Sequence, residues 1–276
     1  VTTSRILVVK VGGALLDDPE AASIHRATIE GLRALERDAR AHGGGLVVVH
    51  GGGVTVDRHL ARLGITTERI DGIRVTPPEV VEEITGVLAG RVNTRLVGML
   101  AAAGARPVGL SLGDGGLCEA RKATRYPFDP GAVGEIVGGD PSLVTTLVDG
   151  GFLPVVSSIG LDATGRMLNI NADDAAAAIA RIVSAHELVL LTDVPGVLDR
   201  SGSVLAELDR ERIEALVADG TITGGMIAKV RGALDAAESA GVPVVIASWK
   251  DPASIRTPTN GARPTSTRIV AARAAV

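Results

Sequence analysis

The chain has 276 residues, 46% of them hydrophobic, and a formal net charge of −4 at pH 7. Aromatic residues make up only 1%, which argues against base-stacking sites for single-stranded nucleic acid, and the net charge argues against a general phosphate-backbone binder. The one cysteine, Cys118, excludes an internal disulfide framework and a cysteine-rich metal site and reads as a structural thiol.

Ile6 to Val9 form an unbroken apolar run that continues through Lys10-Val11-Gly12-Gly13. Such a run reads as a strand buried on both faces, typical of a parallel sheet. Ligands of open α/β sheets bind beyond the carboxyl ends of the strands, where glycines let backbone N–H groups approach an anion and a lysine adds a compact charge. Of 28 basic residues only Lys10, Lys122, Lys229 and Lys250 are lysines. A lysine beside paired glycines therefore reads as functional rather than as a strand-end charge that merely snorkels to water.

A helix is expected over 20–42, with Pro19 and Glu20 near its start and Ile24, Thr28, Leu32 and Leu35 on one face. The strand Leu46–Val49 then ends in His50-Gly51-Gly52-Gly53 and leads into a helix over 54–63. Helix N-termini favour anions, so this is a second phosphate cradle. His50 reads as fixing the loop, while His25, His42 and His59 read as surface helix residues. After a turn-rich link at 71–78 comes a long helix over 79–103, apolar on more than one face and expected in a subunit interface. A strand at 107–110 leads to the turn Gly113–Gly116. Residues 118–140 read as irregular and polar, a hairpin flap.

A helix over 141–150, the strand 153–157 and a turn at 162–165 precede Asn169-Ile170-Asn171-Ala172-Asp173-Asp174, which feeds an Ala-rich helix. These polar groups exceed what one N-cap needs; Asn169 and Asp173 read as functional before capping, Asp174 the reverse. The last third has a strand over 188–191, helices over 209–219 and 226–240, a strand over 242–247 and a closing strand at Arg268–Val270. A soft lobe boundary is placed near 180. No apolar run approaches the ~18 residues of a membrane span, and no secretory signal precedes the first strand, so the expected location is the cytoplasm.

Several familiar motifs fail. No Gly-Lys pair exists, which removes a P-loop, and Val56 stands where a dinucleotide GxGxxG needs its third glycine. Gly109–Gly113 matches G-x-S-x-G, but Asp114-Gly115-Gly116 follows where that motif requires a helix.

Together, Lys10-Val-Gly-Gly13, His50-Gly-Gly-Gly53, Gly72-Ile-Arg74-Val-Thr76, Asn169-Ile-Asn171-Ala-Asp173, Asp193-Val-Pro-Gly196-Val-Leu198 and Thr223-Gly-Gly-Met226 followed by Lys229 resemble the amino-acid kinase family, over nearly the whole chain. The resemblance implies an α/β fold, a three-layer αβα sandwich with a mostly parallel central sheet. It also implies two lobes, 1–180 for the acyl substrate and dimerisation and 181–276 for ATP. It implies that Lys10 and Lys229 are catalytic and organised by Asp173, and that Gly52, Gly53, Arg74 and Asn169 bind substrate. Gly12, Gly13, Asp193, Val194, Gly196, Val197, Leu198, Thr221, Thr223 and Gly225 would contact the nucleotide. Gly224 stands where some relatives carry an acidic residue. The implied reaction is transfer of a phosphoryl group from ATP, carried with Mg²⁺, to the γ-carboxylate of N-acetyl-L-glutamate, in arginine biosynthesis. No direct protein ligand to the metal is named, and neither nucleic acid nor a membrane is an expected partner. Only nine residues precede Lys10, so the extra N-terminal helix of arginine-inhibited relatives is not expected, which implies a homodimer insensitive to arginine. A kinase for aspartate, glutamate or carrier-linked aminoadipate, or a non-catalytic regulator on the same fold, is the alternative.

Overall fold

A computed structural model describes residues 6–12, 22–251 and 264–271. Gly13 and the expected helix start at Pro19 and Glu20 lie outside the described residues, as does the side chain of Ile24. In chain order the elements are β1 (Ile6–Val11), α1 (Ala22–Ala41), β2 (Gly45–His50), α2 (Gly53–Arg62), β3 (Arg69–Ile70), β4 (Ile73–Arg74) and α3 (Val81–Thr85). A π-helical stretch, Gly86–Val92, runs directly into α4 (Asn93–Ala102). There follow β5 (Pro107–Ser111), β6 (Glu119–Lys122), β7 (Val133–Gly138), α5 (Ser142–Asp149), β8 (Leu153–Ser157), β9 (Ile159–Leu161), β10 (Met167–Ile170) and α6 (Ala172–Ile182). The chain continues through β11 (Glu187–Thr192), β12 (Glu207–Leu208), α7 (Arg210–Ala218), α8 (Gly225–Ala240), β13 (Val244–Ser248) and β14 (Thr267–Ile269).

The central sheet has eight strands in the order β12-β14-β13-β11-β1-β2-β8-β5. Its neighbours pair in parallel except β13 with β14. Side chains alternate across a strand, and β1 shows both consequences. Ile6 and Val8 enter a core shared with α6 and α8, whereas Leu7, Val9 and Val11 enter one shared with α1, α2 and the segment 80–100. Two helical layers thus cover a sheet whose middle strands are apolar on both faces. This is the expected αβα sandwich.

Four expectations need correction. The segment 118–140 does form a hairpin but is not irregular: β6 and β7 pair antiparallel and join β10 and β9 in a second, four-stranded sheet. Its strands are short, and β7 and β9 carry glycine, which hid them; at Gly134 a Cβ would lie 2.8 Å from Leu168 Cβ, so only glycine allows that pairing. The long helix changes to π geometry over Gly86–Val92. His25 is buried, not a surface residue, because α1 turns the stripe of His25, Thr28, Ile29 and Leu32 toward the sheet. His59 is only partly exposed and meets Glu83 at 2.8 Å. The two expected lobes share one sheet: β1 of the first pairs with β11 of the second, and residue 180 lies within α6.

His50 ends β2 fully buried. Burial lowers its pKa from 6.5 to about 4, against a smaller opposing effect of its hydrogen bond to Gly51. Below about pH 6.5 the unfolded chain binds a proton at His50 that the folded chain refuses until about pH 4. Stability from this residue is therefore complete above that window and lost as pH falls through it, by up to about 3 kcal/mol. Urea denaturation between pH 7 and 4.5 should show this decline, and His50→Gln should flatten it.

Candidate active site

Two cavities meet where the central strands end. The first, about 170 Å³, is walled by the Gly51–Gly53 turn, Val56, Ile84, Leu88, Arg74 and Asn169, with Tyr126 and Ser158 also lining it. The turn is locked against its neighbours. Gly51 N–H donates to Val11 O at 3.5 Å, and a Cβ on Gly52 would lie 2.8 Å from Leu88 Cδ2. A larger residue there would displace the helix behind it. Gly53 opens α2, whose unpaired N–H groups face the same end of the sheet.

Arg74 is buried at the wall of this pocket. It donates to Thr67 Oγ1 at 2.8 Å and to Gly53 O at 3.2 Å, and pairs with Asp57 at 2.5 Å. Asp57 also receives Arg69 Nη2 at 3.1 Å. Partial burial works against its charge, but the hydrogen bonds and charges of Arg74 and Arg69 outweigh this and hold its carboxyl below the usual range. Asn169 Nδ2 donates to Thr76 Oγ1 at 3.1 Å. Thr76 is in turn tied to the flap, accepting from Ala132 N–H at 2.6 Å and donating its own N–H to Pro130 O at 3.0 Å.

The second cavity, about 510 Å³, contains both lysines: Lys10 and Gly12 from the end of β1, Lys229 from α8, and Asp173, Thr192, Asp193 and Trp249 around them. Even-numbered residues of β1 face α6 and α8, so the parity of the strand puts Lys10 on the side from which Lys229 enters. Lys10 Nζ lies 2.9 Å from Asp173 Oδ1. Lys229 Nζ lies 2.5 Å from Asp193 Oδ1. Asp173 was expected to organise both lysines; it pairs with Lys10, while Lys229 reaches Asp193 at the end of β11 rather than the start of α6. The hydrogen bond from Lys229, followed by opposing desolvation and further charge effects that include Lys250, leaves the Asp193 carboxyl below its ordinary range.

The cavities abut at the start of α6. Asn171 and Ala172 line the first, and Asp173 the second. Asn171 is the N-cap, accepting from the N–H groups of Asp173 at 2.8 Å and Asp174 at 3.2 Å. That frees Asn169 and the Asp173 carboxylate for other contacts. Asp174 does not cap either; its carboxylate pairs with Arg125 of the flap.

Of the residues expected to contact a nucleotide, Gly12 and Asp193 line the lysine cavity; Val194, Gly196, Val197, Leu198, Thr221, Thr223 and Gly225 do not. Val197 N–H donates to Thr267 Oγ1 at 2.8 Å, and Gly196 has φ 157° with that same hydroxyl 2.6 Å from where a Cβ would stand. Thr221 Oγ1 accepts from Arg200 at 3.1 Å. Thr223 and Gly225 form the turn into α8.

Sequence reasoning missed Asp57, Tyr126, Ser158, Thr192 and Trp249. A signal existed for two of them: the chain has one tyrosine and one tryptophan, and they line these two cavities. Among the described residues, no group of three or more His, Cys, Asp and Glu could hold a metal ion, and no helix is long and apolar enough to cross a membrane.

The sequence profile of the amino acid kinase family matches residues 5–248. The chain is 45% identical over 250 residues to the acetylglutamate kinase of Aeromonas hydrophila subsp. hydrophila, covering 90% of this chain and 92% of that one. It is 43% identical over 266 residues to the acetylglutamate kinase of Pectobacterium carotovorum subsp. carotovorum, covering 96% and 99%. Among solved structures, smu.665 from Streptococcus mutans UA159 superposes with a TM-score of 0.73 at 25% identity over 96% of this chain and 98% of that one. A family profile spanning most of the chain, with relatives this similar over nearly their whole length, shows that the chain belongs to the amino acid kinase family.

Proposed function

We propose that the chain transfers the terminal phosphoryl group of ATP to the γ-carboxylate of N-acetyl-L-glutamate. The observation that carries this reading is the meeting of Lys10 and Lys229 in one cavity, next to a pocket that gathers Arg74, Asn169 and the Gly51–Gly53 turn. Attacker and donor are both anions, so the protein's task is positioning and charge compensation. A carboxylate oxygen attacks the terminal phosphorus, the bond to the departing ADP oxygen breaks, and an acyl phosphate forms. The attacking carboxylate is already ionised at neutral pH and needs no general base. Buried His50 accordingly has no proton to carry.

Each polar group has a task in this scheme. Arg74 holds the substrate's α-carboxylate and Asn169 its amide. Gly52 and Gly53 present backbone N–H groups to the oxygens that gain charge, and Lys10 and Lys229 neutralise the transferring group and the leaving phosphates. Mg²⁺, when bound, would supply further charge neutralisation on the nucleotide. Asp173 and Asp193 are the hard oxygen donors at hand, which fits an ion that takes one or two carboxylates plus phosphates. The division into an acyl-substrate lobe before about residue 180 and a nucleotide lobe after it belongs to the same proposal, with the nucleotide over Asp193–Leu198 and Thr221–Gly225.

The pocket favours an N-acyl substrate over a free amino acid. Among the described residues that line it none is acidic, while Val56, Ile84 and Leu88 provide an apolar wall. A free α-ammonium would be buried without a lining carboxylate, whereas an acetyl methyl group finds matching surface. A coupled ADP-release assay with N-acetylglutamate beside glutamate and aspartate tests this; turnover with either free amino acid but not the acetylated one overturns it.

Lys10→Ala and Lys229→Ala should each lower kcat by on the order of 100-fold, as loss of one transition-state donor does; near-wild-type turnover in both would remove the mechanism. Arg74→Ala should raise the KM for the acyl substrate far more than it lowers kcat, as steady-state kinetics would show. We also propose a homodimer formed through the helical segment 81–102, whose Gly90, Gly98, Ala101 and Ala102 are exposed small residues beside its buried stripe. Light scattering should give twice the chain mass.

A further inference from the structure

Behind the triple-glycine turn lies a buried hydrogen-bond chain that the phosphoryl transfer itself does not use. Asn93, at the first position of α4, is buried, and so is His50. Asn93 Nδ2 lies 2.8 Å from Val155 O and 3.0 Å from His50 Nε2. A carbonyl oxygen only accepts, so the amide atom facing Val155 is the NH₂ group, and its second proton points to His50 Nε2. The other ring nitrogen, Nδ1, lies 3.0 Å from Gly51 O. That carbonyl again only accepts, so Nδ1 carries the proton. Each assignment forces the next, and only a neutral imidazole in the Nδ1–H tautomer satisfies all of them. Room for the arrangement is made across the way: a Cβ on Gly109 would lie 2.1 Å from Asn93 Oδ1.

We propose that His50 and Asn93 are positioning residues for the transfer reaction, holding the Gly51 carbonyl and so aiming the Gly52 N–H at the phosphoryl group in flight. The peptide joining Gly51 to Gly52 is planar and trans, so its C=O and N–H point in opposite directions. With the oxygen tied back to His50, the Gly52 N–H is directed to the other side. Without the tie, the two adjoining glycines leave that peptide freer to rotate than any other residue pair would. The π-helical stretch completes the device. Bonding from i to i+5 widens the turn, and Leu88 and Val92 of this stretch pack where a Cβ of Gly52 would fall, at 2.8 and 3.1 Å, while Asn93 follows immediately. One helix therefore grips the turn twice, directly at Gly52 and through His50 at Gly51.

This inference rests on the carboxylate-kinase reading, and its test separates the two. His50→Asn keeps a donor near the Nδ1 position, whereas His50→Gln keeps only a group near the Nε2 position. In ADP-release assays with N-acetylglutamate, His50→Gln should lose kcat on the order of tenfold, less than deleting a donor outright. Its KM for ATP should stay within about twofold, because uniform binding is untouched; His50→Asn should recover most of the lost kcat. Asn93→Leu, which frees the ring to change tautomer, should repeat the kcat loss. Long-range ¹⁵N imidazole spectra of the unmodified chain at pH 7 should show His50 neutral with its proton on Nδ1. An Nε2–H or doubly protonated ring overturns the proposal, as does equal loss of kcat in His50→Asn and His50→Gln, or loss that merely tracks Tm. An unmodified chain that releases no ADP defeats the functional reading instead, and the ¹⁵N spectra still decide the tether.

Discussion

An ammonium group at the end of a buried strand needs an anion close by, and much of this molecule is arranged around that need. Lys10 sits in β1 between two apolar strands with its side chain 16% exposed. Removing a charge from water is costly unless it is paired. Asp173, in the first turn of α6, is the partner, and Asn171 caps the helix so that the aspartate need not. The start of α6 is thereby pinned at the boundary between the two cavities. Its dipole, with the positive end at that boundary, adds to the field that an anion meets there. The Asp173 side chain is half-exposed, so the pair borders water, and an incoming phosphate can compete for the lysine.

Strand parity carries that local requirement to the rest of the fold. Because side chains alternate, Lys10 faces the helical layer containing α8, and Lys229 enters the same cavity from that helix. On the other face, Leu7, Val9 and Val11 pack with the layer that supplies Leu88 and Val92, the side chains that close over Gly52. One strand thus registers the lysine layer against the glycine-turn layer. Two residues far apart in the chain converge because both are tied to the same end of one parallel sheet, where open α/β folds place their ligands.

The parts of this arrangement that could be read from the residues were those with a local signature. Continuous Val/Leu/Ile runs marked β1, β2, β8, β11 and β13, and glycines after strands marked the turns. The scarcity of lysine singled out Lys10, whereas Lys229 was marked only by the family resemblance. What escaped reading depends on partners distant in sequence. The strands β6, β7, β9 and β10 are short, and their pairing is set by long-range register such as Asn169 with Val133, which no local period reveals. The burial of His25 and the engagement of Asn93 depend on what the opposite layer presents. At the site, Lys10 and Asp173 could be suspected from their neighbours in sequence, but the pairing of Lys229 with Asp193 and of Arg74 with Asp57 is a product of the tertiary fold alone.

Those pairings share a pattern with a chemical consequence. Lys10, Lys229 and Arg74 each have a resident carboxylate, from Asp173, Asp193 and Asp57, with side-chain exposures of 52, 58 and 50%. Asp57 and Asp193 are held below the ordinary carboxylate range, so they stay charged well into mildly acidic conditions. A resident anion weakens the net attraction for an incoming one, but it holds the cation at a defined place, so that little reorganisation is left for the moment of reaction. Because the carboxylates are half in water, releasing one costs far less than uncovering a buried charge. Three cations kept in position by displaceable anions suit a reaction in which charge must be met as it moves, more than one in which the tightest possible grip on a resting anion would serve.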